Sequence, residues 1–165
     1  MPALFALAAS VGLLAVLDTW LYVGPLATTI LAGLVWISFI AWGCHFHSGG
    51  GIKGSTTTVV CMSFGAIVGM AAVMAASGPL AGMGAMGTAI AVGVGAAVIC
   101  LASAVSILST IPASVYGFAS IAGPIILAGK SPTEAVVPVI GSIVIGAVFG
   151  YVSEVLANAL TKKAA

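Results

Sequence analysis

Apolar residues run in long blocks along this chain, and polar residues collect at the few breaks between them. The first block covers residues 3–23 and stops at Gly24-Pro25. The second covers 26–43, and the stretch 44–54 after it is the longest polar one. Ser55 opens a third block, 55–76, which ends before Ser77-Gly78-Pro79. The fourth covers 82–106. The fifth starts at Pro112 and reaches 128, and the turn Gly129-Lys130-Ser131-Pro132 follows it. The sixth covers 133–160, and Lys162-Lys163 come after it. Crossing a hydrocarbon core about 30 Å thick takes a helix of roughly 20 residues, and Gly and Pro punctuate the gaps. The pattern therefore predicts an all-α polytopic membrane protein. It reads as a single transmembrane domain over 1–165, with about six helices in a compact Gly-rich bundle and a broken helix near Pro112.

Composition narrows the function classes. Of 165 residues, 62% are hydrophobic and 4% are charged. A soluble domain carries about 25% charged residues, so this chain has too few to cover a water-facing enzyme. A nucleic-acid binder needs a basic face against phosphates, and the net charge here is only +1. Disorder needs low hydrophobicity with high charge. A polytopic membrane protein remains. Lysines in short loops set orientation: Lys53, Lys162 and Lys163 fall on one side and Lys130 on the other, which predicts both termini inside. No basic residue precedes the first block, so that block is expected to be retained rather than cleaved.

The 22 glycines suit close helix approach in lipid. Gly65 and Gly69 form a small-xxx-small pair in the third block. In the sixth, Ser142, Gly146, Gly150, Glu154 and Asn158 recur every four residues, a contact ridge leading to a polar patch. These faces lead us to expect a homo-oligomer.

A few residues carry candidate chemistry. Asp18 is costly in hydrocarbon and lies beside Trp20 and Tyr22. It reads either as an aspartate at the outer interface or as a carboxylate at the mouth of a permeation path. Glu154 lies at the inner end of the sixth block. Glu134 complements a helix N-terminus. His45 and His47, read on a strand-like inner loop, form at most a weak metal pair without a completing carboxylate, and no cofactor is expected. Gly49–Thr57 does not match a P-loop, because Gly54 separates Lys53 from Ser55. Its lysine, hydroxyls and amides still suit an anion or a lipid phosphate. Pro112, Ser114 and the interruption at Gly123-Pro124 mark a short, broken span, which is the sequence pointer to a transporter site.

The Trp-bearing first two blocks, Gly50-Gly51-Ile52-Lys53-Gly54 and the turn at Pro112 together resemble the YcdZ-like bacterial inner-membrane proteins, a family catalogued as a domain of unknown function. The resemblance spans nearly the whole chain and implies a bacterial inner (cytoplasmic) membrane. It assigns no substrate and no active residues.

The leading expectation is a channel or facilitator for a small neutral or weakly ionised solute, embedded in the lipid bilayer. Candidate path residues are Asp18, Trp20, Tyr22, Lys53, Pro112, Ser114 and Glu154. One alternative is a proton-coupled secondary transporter using Asp18 or Glu154. Internal duplication would support it, but the broken elements read as falling after the second block in one half and after the fourth in the other. A second alternative is a non-transporting scaffold or accessory subunit. An enzyme is the least expected, because no Ser/His or paired-acid set closes in sequence.

Overall fold

The computed structural model describes residues 1–162, which form six α-helices. They are α1 (Ala3–Val23), α2 (Val35–His47), α3 (Gly51–Ser77), α4 (Ala85–Ala102), α5 (Ile111–Ile126) and α6 (Pro132–Lys162). Lys163, expected to help set orientation, lies outside the described residues. α1, α3, α4 and α6 are long and apolar enough to cross a membrane. α2 and α5, with 13 and 16 residues, reach only about 20 and 24 Å at 1.5 Å per residue. The chain is a helical membrane bundle.

Three boundaries depart from the sequence reading. The second helix starts at Val35, not at residue 26. Pro25 supplies no amide hydrogen and Gly33 sits at φ 75°, so 24–34 folds as successive turns, one of them tied by Thr29 Oγ1 donating to the Leu26 carbonyl at 2.8 Å. The expected polar loop 44–54 is instead helical on both sides of a tight turn. Gly49, Gly50 and Gly51 take φ of 94°, 69° and 61°, values that only glycine adopts readily. The fourth helix is shorter than 82–106, and a 3-10 turn flanks each end. At the start of α6, the Ser131 hydroxyl accepts the Glu134 amide at 3.3 Å and the Glu134 carboxylate accepts the Ser131 amide at 3.2 Å, a capping box.

α3 and α6 pack on each other at the centre. α6 also carries α1 and α2, and α3 carries α4 and α5. The two triplets, α1–α3 and α4–α6, thus exchange partners: each long third helix holds the first two helices of the other triplet. Details repeat across the halves. Ala6 and Ser10 are the buried positions of α1 where α4 has Ala91 and Gly95. A β-carbon on Gly65 or Gly146 would overlap the carbonyl of Ser114 or Ser38 respectively. Gly69 abuts Ile121 as Gly150 abuts His45.

Contacts give the directions. Ser10 and Tyr22 of α1 reach Ser153 and Ser142 of α6, so that pair is antiparallel. Ser38 and His45 of α2 meet Gly146 and Gly150 of α6, so that pair is parallel. α3 and α5 are parallel by the same test, and α3 and α4 antiparallel. Gly51 and Ser55 of α3 reach Glu154 and Ala147 of α6, so α3 and α6 are antiparallel; α4 therefore runs opposite to α1, and the halves form an inverted repeat. The interrupted segments 24–34 and 103–110 occupy the same place in each half, before the short second helix. This corrects the expectation that the breaks fall at unmatched places.

Candidate functional site

The inverted halves bring polar groups together at three levels. The first lies between α1, α2 and α6. Asp18 is fully buried, and neither carboxylate oxygen has a hydrogen-bond partner among the described residues. Ser38 and Tyr22 flank it. The Tyr22 hydroxyl is 2.9 Å from Ser142 Oγ, while the Ser38 hydroxyl is buried and unpartnered. Spacing on the helix explains why Asp18 and Tyr22 meet, since residues four apart share a face. Trp20 is on the other side and is 57% exposed. Of the three candidates grouped at the outer mouth, the fold joins Asp18 to Tyr22 and leaves Trp20 facing outward. Asp18 is sealed inside the bundle and borders no open cavity.

The second level joins α2, α3 and α6 near the chain termini. His45 is on helix α2, not on a loop, and is fully buried. Its Nδ1 is 3.0 Å from Ser55 Oγ and its Nε2 3.1 Å from Glu154 Oε2. The Gly51 amide also donates to Glu154 Oε2, at 2.6 Å. In the neutral tautomer that fits, Nε2–H donates to Glu154 and Nδ1 accepts from Ser55. A hydroxyl–imidazole–carboxylate set therefore closes, which corrects the expectation that none would. Gly150 presses against the His45 ring, and both ring nitrogens are engaged inside the fold, so neither is free for a metal. His47, two residues on, points elsewhere and packs edge-on against Tyr116 with centroids 5.7 Å apart. Among the described residues no three His, Cys, Asp or Glu converge as metal ligands.

The third level is a pair of cavities between α2, α5 and the interrupted segments. On the face bearing the termini, His47, Lys53, Thr57, Ser106, Ser109 and Thr110 border a polar space of about 510 Å³. On the opposite face, Gly33, Ile37, Ser120, Pro124 and Lys130 border one of about 370 Å³. Each cavity lies between the last turn of one short helix and the segment leading into the other, so the inverted repeat relates the two. The buried core, in which Ile37 and Cys44 of α2 pack with Ala113 of α5, fills the middle. Lys53 thus borders a cavity. Pro112 is in the first turn of α5. Ser114 is buried where Gly65 of α3 crosses α5.

Sequence reasoning missed Ser38, and it named Ser55 and Ser142 without their partners His45 and Tyr22. A lone serine in an apolar helix carries no signal of its own. The usable signal was internal: Phe64–Gly69 (FGAIVG) and Ile145–Gly150 (IGAVFG) match closely, and it is the packing of Gly65 on Ser114 and of Gly146 on Ser38 that makes the two serines equivalent.

No curated protein and no solved structure matches this chain. One family model does, over residues 8–158. By that match the chain belongs to DUF1097, a family described as protein of unknown function.

Proposed function

We propose that this membrane protein is a facilitator for a small neutral or weakly ionised solute, acting in a bacterial inner membrane with both termini inside. The observation carrying this reading is the inverted repeat, with an interrupted segment before the short helix of each half. Inverted repeats with broken helices recur in membrane transporters, because irregular backbone at membrane depth is tolerated where it borders protein or a cavity. The cavities at opposite faces give the solute an entry and an exit, and movement at α2 and α5 would open the core between them. No Walker motif is present in the sequence, so ATP-driven transport by this chain alone is not part of the proposal.

A second reading, proton-coupled transport, draws support from Asp18. A buried carboxylate without a partner is expensive in a low-dielectric interior, and proton exchange is one use that would repay it. Self-association fits the exposed Gly93 of α4, which has open space above it.

The test is flux in proteoliposomes. Stopped-flow light scattering against urea, glycerol and small weak acids should show at least one solute crossing faster than in empty liposomes. No flux for any solute, together with co-purification of foreign membrane subunits, would favour an accessory subunit.

A further inference from the structure

We infer that the path selects small monovalent anions, through Lys53 at one mouth and Lys130 at the other. The inference rests on the facilitator reading for its path and departs from it on the solute, which it takes to be an ionised anion. Four lysines and three acids are the formal charges of this chain. Two of the lysines border the two cavities, one on each side, and no acid borders either. The acids are engaged elsewhere. Asp18 is sealed between α1, α2 and α6, and Glu154 is bonded to His45 and the Gly51 amide. Glu134 is held by Ser131 through its hydroxyl and its amide.

The two mouths differ in strength. Lys53 borders its cavity with His47 and a set of hydroxyls that includes Ser109 and Thr110, donors that suit a small oxyanion. Lys130 borders a more apolar space and has the Glu134 carboxylate within Coulombic range, so its field is partly offset. A single-sign charge in a cleft with low-dielectric walls concentrates the opposite ion by roughly 10- to 1,000-fold. Anions would gather at both mouths and cations would be repelled, and the cavity sizes suit an ion of a few heavy atoms.

The test uses the full-length protein in phosphatidylcholine vesicles at pH 8, with potassium and valinomycin setting the voltage. Nitrate and formate represent inorganic and carboxylate anions, choline a cation and urea a neutral solute. Nitrate or formate flux above empty vesicles, with choline excluded, is the expected result. Passage of nitrate alone would restrict the class to inorganic anions, and passage of formate alone to carboxylates. Lys53→Gln should lower that flux about tenfold, Lys130→Gln by less, and Lys53→Arg should restore it. Both lysines are at the bundle ends, and unchanged thermal unfolding of the variants checks that they fold. Urea flux without anion flux would overturn the anion assignment and leave the facilitator reading standing. Anion flux unaffected by either Gln variant would overturn the role of the lysines. Absence of flux for every solute would overturn both readings.

Discussion

Gly146 of α6 lies so close to Ser38 of α2 that a β-carbon on Gly146 would overlap the Ser38 carbonyl. Gly65 of α3 stands in the same relation to Ser114 of α5. These contacts hold each short helix to the long helix of the other triplet. Without a hydrophobic drive between helices in lipid, such close backbone packing is a main source of cohesion.

Gly146→Ala and Gly65→Ala should therefore each destabilise the bundle by about 1–3 kcal/mol, the usual cost of overpacking. Gly12 and Gly93 have open space where a β-carbon would go, and alanine there should change stability by less than about 0.5 kcal/mol. Reversible unfolding in mixed detergent micelles checks both pairs.

The His45–Glu154 contact should behave as a coupled pair. His45→Ala leaves Ser55 and Glu154 without their shared partner, and Glu154→Ala leaves a buried imidazole nitrogen unsatisfied. Neighbours in one network couple by about 0.5–3 kcal/mol in a double-mutant cycle. The Glu154 side chain is 34% exposed, so a value at the low end is expected. A coupling of zero would mean that the two residues contribute separately.

Asp18→Asn replaces a buried ionisable group, flanked by the Ser38 hydroxyl, with a neutral one of the same shape. Stability should hold or rise, since an unpaired carboxylate in an apolar setting is costly. Under the facilitator reading, flux and its pH profile stay as in the wild type. A pH profile flattened by the substitution would instead support proton coupling.

Topology reporters test orientation. Met1 and Leu160 lie together, with the terminal amine 3.4 Å from the Leu160 carbonyl, so both ends of the described chain are on one face. A fluorescent protein fused at the C-terminus should fold and fluoresce in a bacterial host, and alkaline phosphatase fused after Ala128 should be active. The reverse pattern would place the termini outside.

Much of this bundle was legible in the sequence, because apolar block length and Gly-Pro punctuation report directly on helices in lipid. α1 and α6 match their predicted spans closely. α2 was misread because residues 26–34 are as apolar as a helix. Hydropathy cannot see that Pro25 and Gly33 turn this segment into successive bends. Cys44–His47 was misread in the opposite sense, since polar residues in a buried last helical turn look like a loop. The meeting of His45 with Ser55 and Glu154 depends on three helices distant in sequence, and no local pattern encodes it. The inverted repeat was present in the Gly65/Gly69 and Gly146/Gly150 spacings, but the misplaced start of α2 hid it.

The most direct test of a path between the two cavities is blockade of solute flux by a membrane-impermeant thiosulfonate. Ser109 and Ala128 border the opposite cavities and are exposed, so Ser109→Cys and Ala128→Cys, each in a Cys100→Ser background, put a thiol at either mouth. The account predicts that labelling each variant lowers flux several-fold, from opposite sides of the membrane, while the Cys100→Ser parent is unaffected. Complete labelling of both thiols with unchanged flux would contradict it.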